Sequence, residues 1–196
     1  MKKILIATRN KDKFKIISKL LSTNNFKDAI FYSLNDIEEN IVDKKETGDV
    51  INRSLEKALN AYNNIKEDYD YFIGVDDGIK MKGKMIENVK DYITPILEDK
   101  YLTTNEKVYI VRAYTFIDKK GNHKSIVTEI PFGYKKLQEK FDALENSYPL
   151  SHVLSPVGSS KTVSQLSIEE SNAYYLEFSK TKLVEIEKFF IKRIYD

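Results

Sequence analysis

Apolar residues in this chain fall into short strand-like runs that alternate with stretches of helical spacing. Residues 3–7 form a short apolar run of the kind that makes a buried strand. From Lys11 onward, Phe14, Ile17, Leu20 and Leu21 share one helical face, and Asn10 is a suitable N-cap. Residues 29–33 predict a second strand, followed by a polar loop through Asp43 and a compact acidic turn, Glu46-Thr47-Gly48. Ile51, Leu55, Ala58 and Tyr62 keep helical spacing and predict a helix over about 50–65. Phe72-Ile73-Gly74-Val75 then runs apolar into Asp76 and Asp77. Charges are rarely left inside a fold, so the strand is expected to end at this pair. Asp77-Gly78 between apolar alternations predicts a hairpin turn, with a return strand over 79–86.

The second half predicts a helix over 88–99 that Pro95 must start, bend or break. Residues 108–117 alternate as a strand, turn through 118–122 and return over 124–130. Pro131-Phe132-Gly133 marks a break. Residues 135–145 read as an amphipathic helix with Leu137, Phe141 and Leu144 inward, and 147–162 as a loop-rich stretch. Ser167-Ile168-Glu169-Glu170 is a capping box that begins a helix, and 180–194 predicts a last one. This order of strands and helices places the chain in the α/β class.

Composition narrows the function classes. A chain of 196 residues suits one domain or two closely packed lobes and buries a real core. A net charge of +2 argues against a nucleic-acid binder, which carries a marked basic excess. Without cysteine there are no disulfides and no thiolate metal sites. There is no run long and apolar enough to cross a membrane, and the apolar N-terminal stretch is too short for a signal peptide. A cytoplasmic protein is the expectation. No repeat, low-complexity segment or linker calls for two independent domains.

The candidate chemistry lies in two places. Asp76 and Asp77 are either part of a plain hairpin or a carboxylate site for a divalent metal. On an extended chain neighbouring side chains point to opposite faces, so both share a cleft only if the chain turns there. Lys11, Lys13 and Lys15 lie at the start of a helix, where cations oppose the helix dipole. A bound anion would reverse that conflict. The alternative is that lysine is simply abundant here. Taken alone, Glu46, Lys57 and His123 read as solvated side chains, and His152 as structural.

Four pieces in order resemble the inosine triphosphatase-like (ITPase-like) pyrophosphatases. Ile4-Leu5-Ile6-Ala7-Thr8-Arg9-Asn10-Lys11-Asp12-Lys13 is similar to that family's strand and Thr-Gly-Asn-x-x-Lys. Glu46-Thr47-Gly48, followed by a helix carrying Lys57-Ala58, is similar to its second element. Gly74-Val75-Asp76-Asp77-Gly78-Ile79 resembles Ala-Asp-Asp-Ser-Gly-Leu. Lys161-Thr162, Gln165-Leu166-Ser167 and Glu169-Glu170-Ser171-Asn172-Ala173 resemble Lys-Thr and Glu-Leu-Ser-x-Glu-Glu-Lys-Asn-Ala. The resemblance implies a long twisted mixed sheet flanked by helices, forming one domain (1–196) of two lobes around a nucleotide-binding cleft. It implies magnesium-dependent hydrolysis of ITP, XTP or dITP to the monophosphate and pyrophosphate, and a homodimer. Glu46, Asp76 and Asp77 would hold Mg2+, with Asp77 activating water. Thr8, Arg9, Asn10, Lys13 and Lys57 would bind the phosphates. Ser151, His152, Lys161 and Ser171 fall where the base is read.

The departures cluster. Arg9 replaces the glycine of Thr-Gly-Asn, Asn52-Arg53 replaces Glu-Asn, and no serine precedes Gly78. Tyr148-Pro149-Leu150-Ser151-His152 lacks the family's aspartate, Ser171 replaces a lysine, and Ser-His-Arg is missing from 174–179. The phosphate half therefore matches better than the base half. A nucleotide-binding or regulatory protein with little catalysis is the second reading.

Overall fold

A computed structural model describes residues 1–24, 26–38, 41–42, 47–138 and 148–192. The elements follow in the order β1 (Lys3–Ile6), α1 (Lys11–Asn24), β2 (Ile30–Ser33), α2 (Val50–Asn64), β3 (Tyr71–Met81) and β4 (Lys84–Ile86). Then come α3 (Lys90–Leu97), β5 (Lys107–Asp118), β6 (His123–Tyr134), β7 (Leu154–Pro156) and α4 (Ile168–Lys192). Among the described residues, seven strands form one mixed sheet in the order β2-β1-β3-β5-β6-β7, with β4 also pairing β3. β1 is parallel to both β2 and β3, whereas β3, β5, β6 and β7 run antiparallel to one another.

The chain leaves β1 through α1 to reach β2 on one side, then returns through α2 to β3 on the other. Right-handed crossovers in opposite directions put the two helices on opposite faces. The core divides accordingly. Ile17, Leu20 and Leu21 of α1 pack with Ile73, Val75, Tyr114 and Phe116 and with Leu183 and Ile186 of α4. Ala58 and Ala61 of α2 pack instead with Leu5, Phe72 and Ile117. Successive β3 residues alternate between these two layers, as period-two geometry requires.

Four expectations are corrected. β3 does not end at the aspartates: Gly78 pairs with Val111 inside an unbroken strand. The hairpin turn is Lys82-Gly83 instead, both at positive φ (50° and 73°), the geometry favoured in two-residue hairpins. The strand runs on because each aspartate finds cationic partners within the fold. At 131–133 the expected break is also absent, since Pro131 pairs with Tyr109 and β6 continues to Tyr134. Proline loses a donor but its φ suits extended backbone. Residues 135–138 are not helical; Lys135 N donates to Val153 O at 2.7 Å. The remainder of that expected helix lies outside the described residues. The helix begun by the Ser167 capping box and the expected last helix are one continuous α4. The box itself is formed, with Glu170 N donating to Ser167 Oγ at 3.1 Å and Ser167 N to Glu170 Oε2 at 2.8 Å.

Candidate active site

Where β1 ends, Ala7 N donates to Ile73 O at 2.8 Å, which ties the loop Thr8-Arg9-Asn10 beside β3. Asn10 Oδ1 accepts from Lys13 N at 2.9 Å, so the expected N-cap of α1 is formed. Asn10 N donates to Thr8 Oγ1 at 3.2 Å and tightens the same loop. Strand order reverses about β1. In open α/β sheets the crevice beyond the carboxyl ends of strands at such a point is where ligands bind. A cavity of about 290 Å3 opens here, lined by Thr8, Arg9, Asn10 and Lys13 on one side and Arg53 and Lys57 of α2 on the other.

The α2 side is set by Gly74. A Cβ there would lie 1.9 Å from Ser54 O and 2.6 Å from Ala58 N, so helix and strand touch through backbone. Asp49 caps α2, accepting from Asn52 N at 2.8 Å. One turn apart on this helix, Arg53 and Lys57 both reach Asp76. Arg53 Nε is 2.6 Å from Asp76 Oδ2 and Lys57 Nζ is 2.5 Å from Oδ1. Arg53 is further held by Gly48 O at 3.1 Å, Glu87 O at 2.9 Å and Glu87 Oε2 at 3.3 Å. Only 7% of its side chain is exposed, so its guanidinium is a fixed charge.

Asp77 points to the other face. Its Oδ1 accepts from Arg112 Nε at 2.6 Å, and its Oδ2 lies 3.2 Å from Arg112 Nη2 and 3.0 Å from Lys13 Nζ. Burial by itself would raise the Asp77 carboxyl. The opposing charges of Arg112 and Lys13 outweigh it and hold the group well below the usual carboxylate range. Such a carboxylate accepts a proton poorly. Behind it, Arg112 Nη1 is buried without a hydrogen bond of normal geometry. Its guanidinium carbon lies 5.2 Å from the centroid of the Tyr175 ring. The buried hydroxyls of Tyr114, Tyr148 and Tyr175 are all displaced upward, first by burial and with Arg112 pulling the other way.

Three more cavities extend the cleft. Lys13, Arg53, Lys57, Asp76, Asp77, Glu87 and Lys90 line one of about 750 Å3. Asn10, Lys13, Asp77, Arg112 and Tyr148 line one of about 220 Å3. Ser151, His152 and Ser171 line one of about 410 Å3 on the far side of α1, together with Tyr148, Asp12 and Lys15. The expected phosphate residues and both aspartates are thus gathered around one cleft. Three of the four expected base residues also meet. Lys161 stands apart, with Nζ 2.9 Å from Glu170 Oε1 on the surface. Arg9 borders the first cavity but spends one nitrogen on Ile41 O at 2.5 Å. Glu46 lies outside the described residues.

Sequence reasoning passed over Arg112 and Lys90, and noted Arg53 and Tyr148 only within departures from the family pattern. For Arg112 a signal existed: it is the one charge inside the apolar run Val108–Ile117, where a buried charge demands a partner. Among the described residues, Asp76 and Asp77, two of the three expected ligands, do not fit a resident magnesium ion. Such an ion takes free oxygen ligands, usually one or two carboxylates. Here both oxygens of Asp76 and of Asp77 are bonded to side-chain cations, and the two groups leave β3 on opposite faces. Among the described residues no three His, Asp or Glu side chains converge as ligands.

No protein-family model matches the chain, and no curated protein matches it in sequence. Solved structures do share its fold. A nucleoside-triphosphatase / dITP/XTP pyrophosphatase from Mycobacterium abscessus superposes with a TM-score of 0.58 at 17% identity, over 93% of this chain and 98% of its own. The Ham1 protein of Staphylococcus aureus gives 0.59 at 16% identity, over 97% and 98%. A HAM1 protein from Coxiella burnetii gives 0.57 at 15% identity, over 98% and 100%. The chain therefore has the fold of the Ham1/ITPase-like nucleoside triphosphatases, in a sequence far removed from these three.

Proposed function

We propose that the chain hydrolyses a purine nucleoside triphosphate to the monophosphate and pyrophosphate. The observation that carries this reading is the meeting of Lys13, Arg53, Lys57 and Lys90 with the amino terminus of α1 at the strand-order reversal. A triphosphate needs several fixed positive groups close together, and amide N–H groups at a helix start add donors without adding bulk. The likeness to a dITP/XTP pyrophosphatase supports the same substrate class.

In this reading the phosphates lie over Thr8, Asn10 and Lys13, with Lys57 facing them from α2. Lys13 and Lys57 each bond an aspartate and border the cleft, where their ammonium groups meet the phosphate oxygens. Those contacts strengthen as charge builds on the leaving pyrophosphate, which is what lowers the barrier. Asp77 orients a water toward the phosphorus rather than deprotonating it outright, because Arg112 and Lys13 keep its carboxylate weakly basic. The base enters the cavity lined by Ser151, His152 and Ser171.

One observation favours a second reading, a nucleotide-binding protein with little turnover. Both aspartates at the cleft are already bonded to cations, so neither of them is a strong proton acceptor beside the phosphates. The deciding experiment measures pyrophosphate and phosphate release from inosine, xanthosine, deoxyinosine and the ordinary triphosphates, with and without magnesium. Pyrophosphate release from one of them establishes the enzyme and names its base. Binding without release of either product supports the second reading, and no binding removes both.

A further inference from the structure

We propose that the Arg53 guanidinium stands where a protein-bound divalent cation would, so that the cleft takes a nucleoside triphosphate without a metal ion of its own. The inference rests on the reading that a triphosphate occupies this cleft, and it concerns what neutralises the charge there.

Among the described residues, three carboxylates line the cavity of about 750 Å3, and each is bonded to a guanidinium. Asp76 bonds Arg53 at 2.6 Å, Asp77 bonds Arg112 at 2.6 Å, and Glu87 bonds Arg53 at 3.3 Å. Asp76 is the most enclosed of them together with Arg53, each side chain being 7% exposed. A metal ion entering there would have to displace a guanidinium that also bonds the carbonyls of Gly48 and Glu87. Displacement would strand a buried cation beside the incoming one, and like charges at that separation repel strongly in a low-dielectric site.

Arg53 supplies what the ion would otherwise supply. Its charge is permanent, because arginine does not deprotonate in proteins. Its position is fixed by the Gly74 contact, which leaves α2 no slack against β3. With Asp76 neutralised by Arg53 and Asp77 by Arg112, the ammonium groups of Lys13, Lys57 and Lys90 outweigh the one remaining carboxylate, Glu87, and leave a net positive surplus facing the cleft. A polyanion is attracted to that surplus with no added cation.

Two measurements test this. In the first, Mn2+ is titrated into the protein without nucleotide and followed by electron paramagnetic resonance. The expected result is that Mn2+ stays free at concentrations up to about 100 μM, which a site weaker than roughly −5.5 kcal/mol would give. In the second, a nonhydrolysable inosine triphosphate analogue is titrated calorimetrically in EDTA and in magnesium. The wild type is expected to bind with affinities within about threefold of each other, and Arg53→Gln to lose about tenfold or more in EDTA. Stoichiometric Mn2+ binding by the free wild type overturns the inference. So does an affinity that collapses in EDTA while magnesium restores it, and that result leaves the proposed function standing. No binding of this analogue in either buffer overturns this inference, and the proposed function falls with it only if the other purine triphosphates also fail to bind. If Arg53→Gln does not fold, the two wild-type titrations still decide.

Discussion

Asp77 and Arg112 are direct partners in the β3–β5 register, joined by hydrogen bonds of 2.6 and 3.2 Å from the guanidinium to the two carboxylate oxygens. Asp76, the next residue, turns to the opposite face and finds its own arginine, Arg53. The sheet thus splits an acidic pair into two separate ion pairs, one under each helix layer. That division decides what each aspartate does. Asp76 anchors α2, whereas Asp77 joins β5 to the amino terminus of α1 through Lys13.

The first consequence concerns stability. Arg112 is 3% exposed and its Nη1 already lacks a hydrogen bond of normal geometry. Removing its counter-charge leaves a buried cation, which costs about 3–5 kcal/mol. Asp77→Asn is therefore expected to lower the urea midpoint as well as any turnover. Removing both charges, in Asp77→Asn/Arg112→Met, should recover most of the stability and none of the turnover. A single variant as stable as the wild type would mean that Arg112 has another counter-charge.

A second consequence is a pH dependence with a definite sign. The Asp77 carboxyl is held below its ordinary value, about 3.9 in an unfolded chain. Its stabilisation is complete above that value and is lost as pH falls toward the lower folded one. The stability gap between wild type and Asp77→Asn should be widest near neutrality and should shrink below about pH 4. Urea unfolding at several pH values reads it directly. A gap constant down to about pH 2 would mean the folded carboxyl is not depressed.

Much of this arrangement was legible in the sequence. Period-two and helical spacing placed β1, α1, α2 and β5 close to their observed bounds, because each element buries one regular face, whereas β6 runs past the break expected at Pro131. Asn10 and Ser167 announced their caps through local chemistry alone. The strand through Asp76-Asp77-Gly78 was not legible, because a carboxylate stops a strand only if it lacks a partner. Arg53 and Arg112 come from segments 23 residues before Asp76 and 35 residues after Asp77. Residues 135–138 failed for the reverse reason: their spacing was helical, but Lys135 N bonds Val153 O beyond β6 instead of starting a helix. The base cavity was partly legible, since Ser151 and His152 of the 3-10 turn Pro149–His152 do meet Ser171 of α4 while Lys161 is held outward by Glu170.

Lys13 separates binding from folding. Its ion pair with Asp77 is about one-fifth exposed on both sides, and Asp77 keeps Arg112 as a counter-charge when Lys13 is removed, so the stability lost is expected to be small, about 1 kcal/mol. A lost phosphate contact shows instead in substrate affinity. Lys13→Ala is expected to raise KM about tenfold or more, as loss of a charge-assisted hydrogen bond would, while Tm moves by a few degrees. Steady-state pyrophosphate release with thermal melts checks both. A lower Tm with an unchanged KM would remove Lys13 from the phosphate site.

Gly74 is where packing and chemistry meet. A Cβ at this position would sit 1.9 Å from the backbone oxygen of Ser54 and 2.6 Å from the backbone nitrogen of Ala58. Neither atom can rotate aside, so Gly74→Ala must lift α2 from β3. The lift draws Arg53 and Lys57 off Asp76 and strains the 2.8 Å contact between the Ser54 and Thr115 hydroxyls. Overpacking of this kind costs about 1–3 kcal/mol, and here it should also raise KM by moving two cations. Gly83→Ala is the control. Nothing lies within 4 Å of a Cβ there, but φ is +73°, so it should cost about 1–2 kcal/mol with KM unchanged. If Gly74→Ala loses stability yet keeps KM, Arg53 and Lys57 keep their place without the backbone contact, and the cations of α2 are positioned by Asp76 alone.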